Sequence, residues 1–127
     1  MLDAEALLIS QRWSAAYYLA GYAVECGLKA CVVIYVGSNA DIVFREKEYS
    51  RQCWTHDIEK LVALAGLKSQ RDADASLNPT LDTHWQIVRG WTETARYEAA
   101  NQLKAETLYQ AVTNATHGVL PWIKNHW

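Results

Sequence analysis

The sequence has few of the residues that shape turn-rich and disulfide-rich proteins. Its 127 residues include only 6 glycines, 2 prolines and 3 cysteines. So little glycine and proline excludes a collagen-like or linker protein and disfavours a β-sandwich built on many turns. The odd number of cysteines argues against a framework of disulfides and indicates a reducing, cytoplasmic setting.

An excess of basic residues is absent as well. The 12 Lys and Arg residues are outnumbered by 14 Asp and Glu residues, which gives a net charge of −2. A domain that coats nucleic acid normally carries a basic excess, so this mode of binding is not expected beyond a local basic patch. Hydrophobic residues make up 50% of the chain, which excludes a disordered protein and predicts a single domain over residues 1–127.

Signals for export or membrane insertion are also missing. The first residues lack the charged leader, apolar segment and cleavage site of a signal sequence. The most apolar stretch, Ala15 to Val36, carries Glu25 and Lys29 near its middle, and no apolar run in it reaches the roughly 18 residues of a membrane span. We therefore expect this stretch to be a central helix that is buried on several sides.

Helical periodicity is what the sequence does have, and no alternation typical of strands competes with it. Leu2 to Ile9 predicts a first helix, while Ser10 to Ser14 predicts either a turn with Ser14 as the next helix cap or continuous helix. Further helices are predicted over residues 57–65, 68–76, 81–91 and 103–122, after a polar connection over residues 37–53. The fold class predicted is all-α, an antiparallel bundle of four or five helices with no sheet.

Several residues predict where these helices end. Thr55 or Asp57 is expected to cap the helix that Gly66 closes, and Pro79 suits the first turn of a helix. Pro121 removes a backbone donor inside the last predicted helix, so we expect a kink or break near residues 118–120.

The central stretch also carries small residues at helical spacing. Such a strip lets a neighbouring helix approach closely, and its members are Ala16, Ala20, Ala23, Gly27 and Ala30. Gly21 and Gly27 each weaken a helix by about 1 kcal/mol relative to alanine. We expect close packing at both glycines to repay that loss.

Four polar or aromatic residues share one face of the central helix. Tyr18, Tyr22, Glu25 and Lys29 follow one another at spacings of 4, 3 and 4 residues. Because an unpaired carboxylate is costly in so apolar a helix, we expect Glu25 to pair with Lys29 or with Arg96. The set is interpreted either as a buried polar seam of a bundle or dimer, or as the polar wall of a ligand pocket.

Catalytic and metal-binding patterns are weak. No nucleophile motif or phosphate-binding loop is present, and His56, His84, His117 and His126 lie on separate segments without metal-ligand spacing. Cys26 has no histidine near it in sequence and is expected to be a buried structural cysteine. We therefore predict no catalytic residue, no metal and no cofactor.

Aromatic residues are abundant for a chain of this length. Six Trp and seven Tyr are more large rings than one small core usually needs, and aromatic residues are enriched at interfaces. This surplus predicts a homodimer, with a monomer that has a Trp-rich core as the alternative.

Several segments, in order along the chain, resemble HEPN-domain proteins. AAYYLAGYAVECGLKAC, residues 15–31, closely resembles the central helix of that family, and THDIEKLVALAGL, residues 55–67, is similar to the start of its next helix. Trp91 with Arg96 and Tyr97 resembles the family's W…RY segment, and the closing LPWIKNHW fits its final helix.

The resemblance implies a small helical bundle, commonly dimeric, that pairs with a minimal nucleotidyltransferase in prokaryotic two-gene, toxin–antitoxin-like systems. Its ribonuclease branch carries an Arg followed by four to six residues and then His. Arg96 matches that arginine by position, but the three places allowed for the histidine hold Asn101, Gln102 and Leu103. Arg51 and His56 do have this spacing, but they precede an earlier helix, and chance alone accounts for such a pair.

The expected function is therefore a non-catalytic HEPN-domain protein, the nucleotide- or nucleic-acid-associated partner of a nucleotidyltransferase. A degenerate ribonuclease and a dimeric assembly module without ligand are the alternatives. The ligand site, or the buried polar seam in its place, is predicted at Tyr18, Tyr22, Glu25, Lys29, Arg96 and Tyr97.

Overall fold

The structure, a computed structural model, describes all 127 residues and confirms an all-α fold without a sheet. Nine α-helices follow one another, with one 3-10 helix, Glu93–Tyr97, between the seventh and the eighth. They are α1 (Leu2–Ile9), α2 (Trp13–Ser38), α3 (Ile42–Arg45), α4 (Tyr49–Gln52), α5 (Ile58–Leu64), α6 (Lys68–Leu77), α7 (Pro79–Arg89), α8 (Gln102–Thr113) and α9 (Val119–Lys124). The number exceeds the four or five expected because α6 is a separate short helix, the polar connection contains two more, and the last predicted helix is divided.

Helix α2 is the centre of the fold. Helices α1, α5, α8 and α9 and the 3-10 helix all pack against it. Its inner side chains Ala20, Val24 and Leu28 are each 0% exposed. By length and composition α2 could also cross a membrane, a property that the core helix of a soluble protein shares.

Close packing at Gly21 and Gly27 of α2 confirms the expectation from the sequence. A Cβ added to Gly21 would lie 2.3 Å from the indole ring of Trp91. A Cβ on Gly27 would lie 3.1 Å from Trp127 and 3.2 Å from Ile123. The missing side chains therefore let the 3-10 segment and the chain end approach the central helix.

The junction between α1 and α2 is a turn. Gln11 has a φ of 56°, in the left-handed region, and α2 begins at Trp13. Ser14 is not the cap, because it already lies inside the helix, and its hydroxyl accepts a hydrogen bond from the Ala100 amide at 2.9 Å. The serine therefore ties α2 to the segment that precedes α8.

The expected cap and closing glycine of α5 are found, and Pro79 lies in the first turn of α7, although α7 begins and ends two residues earlier than the predicted 81–91. The carboxylate of Asp57 caps α5 by accepting a hydrogen bond from the Lys60 amide at 3.1 Å. Gly66, with a φ of 70°, follows the end of α5. Asn78 caps α7, and Pro79 is its first residue.

The last predicted helix breaks earlier than expected. Helix α8 ends at Thr113, and the side chain of Asn114 accepts hydrogen bonds from the amides of Thr116 and His117 in a turn. Pro121 does not cause the break, because it lies in the first turn of α9, where helix amides need no partner within the helix.

Candidate functional site

Glu25 is a charged side chain buried at the centre of the molecule. Its residue is 1% exposed, and one carboxylate oxygen, Oε1, accepts hydrogen bonds from Lys29 Nζ at 2.9 Å and from His56 Nδ1 at 2.8 Å. The expected pairing with Lys29 is present, one helical turn along α2. Two partners on the protein rim, with side chains 35% and 47% exposed, thus compensate a carboxylate inside the core.

His56 is the partner that sequence reasoning missed. It lies just before the cap of α5, and α5 packs against α2, which brings the imidazole to a residue 31 positions earlier in the chain. The sequence offered one signal, the THD segment in the resemblance, and we interpreted it only as a helix start. Because Nδ1 faces the carboxylate, it donates, and Nε2 is left free of hydrogen bonds within the chain.

Three buried side-chain polar atoms have no hydrogen-bond partner. They are the second carboxylate oxygen of Glu25, Oε2, and the indole nitrogens of Trp85 and Trp91. Such atoms are uncommon inside proteins because each one costs about 1–3 kcal/mol. Glu25 and Trp91 both lie close to Gly21, Glu25 one helical turn further along α2 and Trp91 through its ring contact with the glycine.

The two tyrosines of the predicted site stack on one another. The rings of Tyr18 and Tyr22 are 5.8 Å apart with an angle of 12° between their planes, and Tyr18 also meets Trp91 at 6.2 Å. Tyr22 is 42% exposed, and the neighbouring Cys26 thiol raises the pKa of its hydroxyl. The stacked pair therefore continues the aromatic contacts of buried Trp91 out to the solvent-exposed surface.

Arg96 and Tyr97 do not close the site, contrary to the expectation from the sequence. Both are exposed, Tyr97 to 81%, and the Arg96 guanidinium lies 4.9 Å from the centre of the Tyr97 ring. Neither residue makes an ion pair or hydrogen bond with Glu25. The reason is the 3-10 helix, which buries Ala95 and turns the next two side chains outward.

The first of the ribonuclease-type positions after Arg96 has a structural role. Asn101 caps α8, since its side chain accepts a hydrogen bond from the Lys104 amide at 2.9 Å. A histidine there would forfeit this cap. The second pair with ribonuclease spacing, Arg51 and His56, is not brought together. The Arg51 side chain is 86% exposed next to Glu48, whereas His56 faces Glu25.

The outward side of α2 is a continuous stripe that the other elements leave exposed or only partly covered. Its residues repeat every three or four positions and are exposed or half-buried: Ala15, Tyr18, Tyr22, Cys26, Lys29, Val33 and Gly37. Cys26, expected to be buried, is exposed here. Val33 is 71% exposed and Lys29 is the one charge. We call these seven residues the α2 stripe.

The remaining chemistry of the surface is limited. No group of three or more His, Cys, Asp or Glu side chains is arranged to hold a metal ion.

Compared with protein-family models, with curated proteins and with solved structures, the chain matches none of them. The function must therefore be argued from the stripe and from the Glu25 cluster.

Proposed function

We propose that this chain is a non-catalytic HEPN-like domain that forms a homodimer and serves as the partner of a minimal nucleotidyltransferase. The pair would act as a toxin–antitoxin-like system in the cytoplasm, in association with nucleotide or nucleic acid. The observation that carries the proposal is the α2 stripe, a largely apolar face left mostly exposed on the central helix of the fold.

The size and composition of the stripe favour a protein partner. From Ala15 to Gly37 it runs about 33 Å along the helix, at 1.5 Å per residue. Contiguous apolar surface of this kind marks interaction sites on soluble proteins. Tyr18 and Tyr22 add the aromatic side chains that are enriched in such interfaces.

The Glu25 cluster favours an interface over a phosphate pocket. Lys29 is held by Glu25 at 2.9 Å, so its charge is largely used within the chain. Arg96, the second cation proposed for a phosphate, lies apart over Tyr97. Of the two interpretations of Tyr18, Tyr22, Glu25 and Lys29, the polar seam beside a dimer interface is the better supported.

The dimer is tested by light scattering on purified protein. Wild type is expected at twice the 14.4 kDa protomer mass, and Val33→Asp at the protomer mass, because the aspartate would be desolvated in the interface. Leu103→Asp is the matched control, since Leu103 is 73% exposed on α8 and lies off the stripe. A wild-type monomer at high concentration would refute the dimer.

The partner is tested by a pull-down from the native host. Wild type is expected to retain a nucleotidyltransferase, and bound RNA is measured in the same sample. Recovery of neither, from a protein that is dimeric by scattering, would leave the assembly module without ligand as the function.

One observation favours the second candidate, a degenerate ribonuclease. The free Nε2 of His56, with Nδ1 fixed by Glu25, has the arrangement of a general base. Loss of RNA cleavage in His56→Gln but not in Arg96→Ala would place catalysis at His56, and loss in Arg96→Ala would place it at the family position. An absence of cleavage by wild type supports the non-catalytic function.

A further inference from the structure

A second site of different chemistry lies between the α3–α4 segment and α5, and we call it the α3–α5 cleft. It is a cleft of about 730 Å³ that shares no lining residue with the cluster of Glu25, Lys29 and His56. Half of its ten lining residues are hydrophobic. Clefts that hold small ligands have volumes of about 300–1,000 Å³ and an apolar lining with a few polar groups, so this one is of suitable size.

The apolar wall of the cleft is held in place before any ligand arrives. The ring of Tyr35 rests on Gly66, where an added Cβ would come within 2.5 Å of it. Tyr49 is 3% exposed, and its hydroxyl donates a hydrogen bond to the Leu64 carbonyl at 2.5 Å. Burial raises the pKa of Tyr49 to about 12, so this donor keeps its proton. A wall fixed in this way does not have to be ordered when a ligand binds.

The rim of the cleft has two cations with weak internal partners. Arg51 meets Glu48 at 3.7 Å and Lys60 meets Asp57 at 3.5 Å, and both cationic side chains are more than two thirds exposed. Exposed pairs at such distances contribute little, so both charges are available to a ligand. Glu46 is the single carboxylate in the lining.

The charge of this cleft separates it from two others on the surface. Two cations against one carboxylate give the lining itself a net charge of +1, while Glu48 and Asp57, the weak partners of the two cations, stand outside the lining. The cleft beside His56 has Arg89 against three carboxylates, a net charge of −2, and the cleft between α6 and α7 has two cations and two carboxylates. An anion is therefore favoured at the α3–α5 cleft and disfavoured beside His56.

We propose that the α3–α5 cleft binds a small organic anion with a planar apolar body. The planar group lies against Tyr35, Ile42 and Leu64, and its phosphate or carboxylate is held by Arg51 and Lys60. Charge-assisted hydrogen bonds from a guanidinium and an ammonium suit either group. This site is separate from the α2 stripe, so the proposal does not depend on the dimer or on its partner.

Titration calorimetry with four probes tests the proposal and identifies the anion. AMP and indole-3-acetate carry a phosphate and a carboxylate on a planar ring, whereas adenosine and indole-3-ethanol are their neutral analogues. At least one anion is expected to bind wild type, with its neutral analogue bound at least about 10-fold more weakly, which corresponds to about 1.4 kcal/mol. The anion that binds tells whether the site prefers phosphate or carboxylate.

Variants locate the binding. Arg51→Ala and Lys60→Ala are each expected to weaken binding of the anion by about 3- to 10-fold, the range of an ordinary net hydrogen bond, because both cations are solvent-exposed. Arg45→Ala is the matched control, because Arg45 is an exposed arginine outside the lining. Ala63→Trp places a ring in the cleft from the exposed side of α5 and is expected to abolish binding while the thermal unfolding curve shows a folded protein.

Three results would overturn the site. Neither anion binds wild type at millimolar concentration, or the neutral analogues bind as tightly as the anions, or folded Arg51→Ala and Lys60→Ala bind like Arg45→Ala. Binding of inorganic phosphate as tightly as AMP would also count against it, since the planar wall would then contribute nothing.

Discussion

The two sides of helix α2 have similar composition and opposite surroundings. Inward, Val24 and Leu28 are 0% exposed against the other helices, whereas outward Val33 is 71% exposed. Both sides consist of small, aliphatic and aromatic residues. Apolar composition therefore indicates that burial would be favourable on both sides. Only the packed structure shows which of the two sides the rest of the chain covers.

Glu25 marks the boundary between the two sides. It is as buried as the inner residues, yet its partners Lys29 and His56 have partly exposed side chains. A carboxylate at this boundary attaches α5 to α2 without exposing the core. The following predictions test the contrast between the inner and outer sides, from the largest expected effect to the smallest.

The largest contrast is between two cysteines on opposite sides of α2. Cys31 is 2% exposed, its thiol faces the Ile123 carbonyl at 3.8 Å, and burial raises its pKa. Cys26 is exposed on the stripe. We expect a thiol reagent to label Cys26 at least about 10³-fold faster than Cys31 in dilute protein, because Cys31 reacts only after an opening of several kcal/mol.

Mass spectrometry of the labelled peptides measures both rates. Raising the protein concentration is expected to slow the labelling of Cys26 alone, since a dimer through the stripe would cover it. Comparable rates for the two thiols in folded protein would contradict the assignment of inner and outer sides.

Substitution of Gly21 is expected to disrupt the inner side. In Gly21→Ala the new Cβ would overlap the Trp91 ring, which is 2% exposed and has no space to move into. We expect a loss of about 2–3 kcal/mol in the free energy of unfolding, typical of an overpacked core and larger than the helix propensity gained.

Gly37→Ala is the matched control in the same helix. No atom lies within 4 Å of a Cβ added there, so the substitution is expected to stabilise the protein by about 0.4–1 kcal/mol. Urea unfolding of both variants measures the difference. Equal effects of the two substitutions would mean that Trp91 does not pack on α2 as described.

Removal of the boundary carboxylate is expected to have an intermediate effect. Glu25→Ala leaves Lys29 and His56 without their shared acceptor, but both can turn to water. We therefore expect a loss of about 2 kcal/mol, below the cost of breaking a fully buried pair. Glu25→Gln keeps an acceptor and is expected to lose less.

Glu106→Ala supplies the comparison for a carboxylate on the surface, since Glu106 is exposed on α8. Its effect on the free energy of unfolding should stay within about 0.5 kcal/mol. If Glu25→Ala proved equally harmless in thermal unfolding, Glu25 would not connect α2 with α5.

The smallest effect is expected on the outer side. Val33→Asp removes a 71% exposed valine, so the protomer should keep its stability within about 0.5 kcal/mol, while the proposed dimer is expected to dissociate. Urea unfolding at a protein concentration too low for dimers measures the free energy of unfolding of the protomer alone. A loss of more than about 1 kcal/mol there would show that Val33 contributes to the protomer core.

Local features of the fold were predictable from the sequence because they depend on neighbours in the chain. The bounds of α1, the Asp57 and Asn78 caps and the turn at Gly66 all follow from residues within a few positions of one another. The break after α8 was misplaced for the same reason. The break was predicted from Pro121, whereas Asn114 forms the turn that ends α8 by accepting hydrogen bonds from the Thr116 and His117 amides.

The candidate site was predicted in part. The pairing of Glu25 with Lys29 lies within one helical turn, so its spacing was visible. The contact with His56 joins residues 31 positions apart and depends on how α5 packs on α2. Arg96 was placed at the site by sequence order alone, and the 3-10 helix directs it elsewhere.

The sequence by itself determined the helical class, the bounds of α1, the cap of α5, the apolar character of α2 and the need of Glu25 for a partner. These properties follow from periodicity, capping and the cost of burying charge, which act over short stretches of chain. The tertiary structure decided which side of α2 is covered, that His56 joins Glu25, and that Arg51 and Lys60 meet at an apolar cleft. Contacts between distant segments depend on the packing of whole helices, and local residue patterns do not specify which helices meet.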